Sequence, residues 1–120
     1  MLNRTEAPAF NTIDKVDIIQ AKKQTLSNGI EVYSVDAGSQ EITRIEFIFK
    51  AGMYYQPAPL IASSANNLAE TGTKNYTADQ LSDSIDFYGS FFEYGVEQDH
   101  ATFTLYSLNK YLDATITYVE

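Results

Sequence analysis

Few residues in this chain could do chemistry, and the most suggestive group is Ser63, Asn66 and Asn67 within LIASSANNLAET. If Leu60 to Thr71 is a helix, the spacing i, i+3, i+4 sets the three side chains on one part of its surface, where they act together. A hydroxyl and two carboxamides exchange hydrogen bonds readily but bring no charge to a metal ion. An amide such as Asn66 also cannot take a proton from water near neutral pH. Taken alone, the three read as polar residues on a half-exposed helix.

The carboxylates form a second group: Glu70, and Asp79, Asp83 and Asp86 at i, i+4, i+7. An all-oxygen donor set suits magnesium or calcium better than zinc. The aspartates run opposite Leu81 and Ile85, so they read as the solvated face of an amphipathic helix. His100 is the one histidine and there is no cysteine. One imidazole does not make a metal site, and His100 reads as a surface turn residue.

The elements that would position these residues follow from periodicity. Lys23 to Leu26 and Ile30 to Val35 flank Ser27-Asn28-Gly29, and Asn-Gly between alternating apolar runs signals a hairpin. Ile42 to Lys50 alternates as a strand, with Ile45, Phe47 and Phe49 on one face and Glu46, Ile48 and Lys50 on the other. Gly52 ends it, and Pro57 and Pro59 lead into the Leu60 to Thr71 helix, where a proline in the first turn would suit entry. Gly72 is expected to close that helix in the left-handed conformation. Thr77 and Gln80 make a capping box for a second helix, with Leu81, Ile85 and Tyr88 as its apolar stripe before Gly89. Ser90 to Val96 and Ala101 to Ser107 read as strands joined by a turn at Glu97 to His100. From Leu108 onward Leu112, Ile116 and Val119 recur at helical spacing. The order predicts an α+β fold, an antiparallel or mixed sheet with helices on one face. Met1 to Lys22 is expected to be an extended arm packed on this domain.

Four segments in fixed order, LSNGIEVY (Leu26 to Tyr33), FKAG (Phe49 to Gly52), GTKNYTADQL (Gly72 to Leu81) and DFYGS (Asp86 to Ser90), carry a resemblance. Together the chain resembles the insulinase, pitrilysin and mitochondrial-processing-peptidase family, zinc proteases with an inverted His-x-x-Glu-His helix motif. Counting back from Gly72 and Thr73, the resemblance puts the family's first His on Ser63, its Glu on Asn66 and its second His on Asn67. It implies a partial peptidase-like domain over residues 23–120, cut short, with the third ligand, a Glu, lying beyond Glu120. Zinc is the family's metal; with the motif replaced, no cofactor is expected here.

The resemblance implies a non-catalytic homologue, a structural or partner subunit working beside a catalytically competent peptidase subunit or associating with itself. Two alternatives stand: an active zinc metalloendopeptidase with its ligands elsewhere, and a small peptide-binding module. In the family's active members the substrate adds as a strand along a sheet edge. The matching segment is FFEYGV (Phe91 to Val96), which makes Phe92, Glu93 and Tyr94 candidate peptide-pairing residues. Phe91 and Phe92 read equally well as sheet core.

Composition narrows the partners. Sixteen acidic against eight basic residues give a net charge of −8, which repels nucleic acid phosphate and anionic lipid. A chain of 120 residues with 44% hydrophobic content is long enough for one folded domain. No apolar run is long enough to span a membrane, Met1 to Asn11 has no leader-like stretch, and the cytoplasm is the default expectation.

Overall fold

The structure is a computed structural model and describes residues 10–119. The stretch Met1 to Asn11, read above for a leader, and the start of the expected arm lie mostly outside them. The chain falls into two compact units, divided between Ser39 and Gln40.

In the first unit, residues 10–21 carry no regular element and are exposed, including Val16, Ile18 and Ile19. Strands β1 (Lys22–Thr25) and β2 (Glu31–Ser34) then pair antiparallel, with Thr25 opposite Glu31. Gly29 takes φ +86° and its N–H donates to Leu26 O at 2.9 Å, while Asn28 Oδ1 accepts from Ile30 N at 3.1 Å. A left-handed glycine ending a three-residue loop is the conformation that turns a right-twisted hairpin back on itself.

The second unit is α+β with a three-stranded antiparallel sheet. Its strands are β3 (Ile42–Phe49), β4 (Phe91–Val96) and β5 (Ala101–Leu108), in the order β3-β5-β4. Register sets Ile45, Leu105 and Phe92 side by side, and likewise Phe47, Phe103 and Tyr94. Side chains alternate, so these residues share one face. Leu105 is fully buried there, and Phe103 packs against Phe47, Phe92 and Tyr94 with ring centres 5.8, 4.9 and 5.3 Å apart. The opposite face carries Arg44, Tyr106 and Phe91, then Glu46, Thr104 and Glu93.

Two bonds fix which way the outer strands direct their main chains. Glu97 N–H donates to His100 O at 2.8 Å, and Asn109 N–H to Glu41 O at 3.0 Å. Antiparallel ladders alternate from such pairs, so the odd-numbered residues of β3 and β4 bond to β5. The even-numbered ones, Ile42 to Ile48 on β3 and Phe92 to Val96 on β4, direct N–H and C=O away from it.

Helix α1 (Ile61–Leu68) runs into a 3-10 turn at Ala69–Thr71, and α2 spans Ala78–Phe87. The capping box of α2 is complete: Thr77 Oγ1 accepts from Gln80 N at 3.3 Å and Gln80 Oε1 accepts from Thr77 N at 3.1 Å. Leu81 and Ile85 are its buried residues. At its other end Gly89 (φ +63°) donates to Asp86 O and Ser90 N to Ile85 O, a paired closure that satisfies the last carbonyls.

Three expectations need correction. No proline lies in the first turn of α1, because Pro57 and Pro59 precede it and Leu60 enters at φ +71°, with Gln56 Oε1 accepting from Ala62 N. Gly72 does not close the helix in the left-handed conformation. Thr71 Oγ1 donates to Leu68 O at 2.7 Å instead, and Gly72 sits at φ 122°, ψ 172°, bridged to Thr77. A side chain there would come 2.8 Å from Tyr76 O. The last helix is not continuous: α3 (Leu112–Thr115) lies between 3-10 turns at Asn109–Tyr111 and Ile116–Val119. Thr115, Ile116, Thr117 and Val119 are β-branched, and the Thr115 and Thr117 hydroxyls bond back to main-chain oxygens, which weakens a regular helix.

Candidate functional site

Helix α1 lies over β4 on the aromatic face of the sheet, and between them opens a cavity of about 690 Å³. Its walls are largely apolar: Phe47, Phe92, Phe103, Ala62, Ala65 and Leu81 are among them. Polar groups enter through Asn66, Tyr94, Gln56, Thr73 and Lys50.

Of Ser63, Asn66 and Asn67, only Asn66 lines this cavity. Its Nδ2 donates to the main-chain oxygen of Gly95 at 3.1 Å, tying the middle of α1 to β4. Ser63 is half-buried, and Asn67 is exposed. The sequence spacing therefore puts the three on one region of the helix, but burial treats them differently. A hydroxyl and two carboxamides do not fit a zinc ion, which takes imidazole, thiolate or carboxylate ligands. Asn66 is moreover engaged with the main chain. Among the described residues no group of three or more His, Cys, Asp and Glu is arranged to hold a metal.

The other sequence candidates fall apart in space. Asp79, Asp83 and Asp86 are exposed along α2, and Glu70 is exposed in the 3-10 turn after α1. His100 ends the β4–β5 turn, its Nδ1 2.7 Å from Asp99 Oδ1. That hydrogen bond holds the Asp99 carboxyl below its ordinary range.

Strand β4 has β5 as its single ladder partner among the described residues. Phe92 and Tyr94 turn their main-chain groups to the open side and their rings to the helix face. Glu93 points the other way and accepts from Tyr106 Oη at 2.9 Å. Tyr94 Oη is buried and meets no hydrogen-bond partner among the described residues. Burial, with a smaller contribution from Glu70, pushes its hydroxyl up to about 12.

Two features escaped the sequence reading. Gly52 is buried against the β4–β5 turn, where a side chain would collide with the main chain of Gln98, Asp99 and His100. Met53 N and Tyr54 N continue that approach, donating to Glu97 O and Gln98 O at 3.0 and 2.8 Å. The FKAG segment, read only as a strand end, held the one available hint. The second feature is a buried hydroxyl cluster: Ser90 Oγ donates to Ser107 Oγ at 3.0 Å, and Thr115 Oγ1 lies 3.0 Å from the same atom. No local pattern marks it, because its members come from three separate segments.

No protein-family model matches the chain, and no curated protein matches it at a significant level. Solved structures do. The inactive domain of a peptidase M16 from Pseudomonas fluorescens is similar at 23% identity with a TM-score of 0.69, over 76% of this chain and 22% of that one. A protease from Helicobacter pylori is similar at 20% identity with a TM-score of 0.72, over 82% of this chain and 24% of that one. The chain thus spans less than a quarter of the length of either. The likeness is one of fold: an α+β unit of the kind found in M16 peptidase domains.

Proposed function

We propose that this chain is a non-catalytic relative of the insulinase-like M16 peptidases, a structural or partner subunit that holds no zinc at α1. One observation carries the reading. Asn66, where the family's general base would stand, serves as a strut between α1 and the Gly95 carbonyl. A carboxylate at that point would present no donor to Gly95 O. The position thus has a structural use that an ionised carboxylate could not fill. The fold likeness to an inactive M16 domain supports the same reading.

The natural partner is a catalytically competent peptidase subunit carrying an intact His-x-x-Glu-His helix. The open side of β4, at Phe92, Glu93 and Tyr94, is where an extended peptide could add as a strand. No helix among the described residues is long and apolar enough to cross a membrane, and the cytoplasm is the proposed location. A peptide-cleavage assay with and without added zinc, together with a pull-down for a companion chain bearing the intact motif, tests the proposal. Zinc-dependent cleavage by the purified chain alone would overturn it.

A further inference from the structure

The outer edge of β3 is the longest open edge in the second unit, eight residues without proline, paired with β5 alone among the described residues. Ile42 and Ile48 on it are 50% and 66% exposed. Such an edge is a template for another strand unless something covers it. The main-chain groups turned outward are those of Ile42, Arg44, Glu46 and Ile48. Arg44 and Glu46 already form an ion pair at 2.9 Å on the face away from the helices, and Arg44 Nε also donates to Tyr106 Oη at 3.0 Å.

We propose that β3 pairs antiparallel with β3 of a second copy of this chain, in the register centred on Ile45. Three conditions select that register. Outward groups must meet outward groups, so even-numbered residues must face even-numbered residues. Centring on Arg44 would set arginine opposite arginine, and centring on Glu46 would set glutamate opposite glutamate; both are unfavourable. Centring on Ile45 sets Arg44 opposite Glu46 twice, Ile42 opposite Ile48 twice, and Ile45 opposite itself. Each arginine is then flanked by a glutamate of its own strand and one of the other copy. The edge is self-complementary in hydrogen bonding, charge and apolar contact at once, and the product is a continuous six-stranded sheet. The open edge of β4 lacks this property, since FFEYGV has no cation to answer Glu93. Pairing at β3 is independent of whether α1 holds zinc.

Sedimentation equilibrium at protein concentrations up to about 1 mM tests it, with cooperative urea unfolding as the check that each variant folds. The chain as it stands is expected to form a dimer. Arg44→Glu or Glu46→Arg alone should weaken the dimer at least about tenfold, and the double exchange, which restores opposite charges in the same register, should recover it. Because the chain has no cysteine, Ile45→Cys introduces a single thiol, which should form a disulfide-linked dimer on oxidation. Thr43→Cys, which faces Phe47 of the other copy, should stay reduced. A monomer throughout the concentration range, a dimer indifferent to charge reversal, or a Thr43→Cys protein that links as well as Ile45→Cys would each overturn the proposal.

Discussion

Asn66 reaches from the middle of α1 to the carbonyl oxygen of Gly95 on β4, 3.1 Å away, a side-chain hydrogen bond that ties the helix to the sheet. The bond is side chain to main chain and partly buried, so removing the donor leaves an acceptor with one fewer partner. Asn66→Ala should lower stability by about 1 kcal/mol, read from the midpoint of urea unfolding. Asn67→Ala, on the exposed side of the same helix, should leave it within about 0.5 kcal/mol. Equal losses at the two positions would remove Asn66 from its structural role.

Gly52 is held by close approach rather than by an unusual backbone, since its φ is −72°. A methyl group built there would lie 2.6 Å from Gln98 O and closer still to His100 N. Main chain cannot swing aside as a side chain can. Gly52→Ala should therefore cost about 1–3 kcal/mol, whereas Gly38→Ala, with open space around it but φ +103°, reports backbone strain alone. Thermal melting of the two variants, compared at one pH, separates the causes.

Tyr94 carries a hydroxyl that folding buries with no hydrogen-bond partner among the described residues. Tyr94→Phe deletes that group and keeps the ring, so it should raise stability, by about 1 kcal/mol. The ionisation gives a second handle. The folded pKa, about 12, lies above the ordinary 10.0, so the protonated form is the one folding favours. Its contribution is intact below the unfolded value and is lost as pH rises through the folded one. Stability measured by denaturant from pH 9 upward should fall more steeply for the native chain than for Tyr94→Phe, and the late phase of the tyrosinate absorbance titration should vanish in the variant. Parallel pH profiles would contradict this.

Much of the fold was legible because its signals are local. Asn28-Gly29 marks a turn through its own backbone preferences, Thr77 with Gln80 marks a helix start, and the alternation of β3 declares its two faces. What was not legible depends on how neighbouring segments fold back on one another. Leu60 enters α1 at φ +71°, and Gly72 sits against the Tyr76–Thr77 segment that folds back onto it. The breaks around α3 go with a β-branched run whose hydroxyls bond back to the main chain, while the contact of Thr115 with Ser107 comes from a different element. At the candidate site, residue types revealed what Ser63, Asn66 and Asn67 lack as ligands. Only the fold revealed that Asn66 has another occupation and that Tyr94 stands in the cavity wall beside it.

The central claim is that α1 is a strut and not a metal site, and metal analysis of the purified chain tests it most directly. Protein exposed to excess zinc and then dialysed should retain well below one equivalent, and the triple change Ser63→Ala, Asn66→Ala, Asn67→Ala should leave that content unaltered. One tightly held equivalent in the native chain, lost in the triple variant, would contradict the claim.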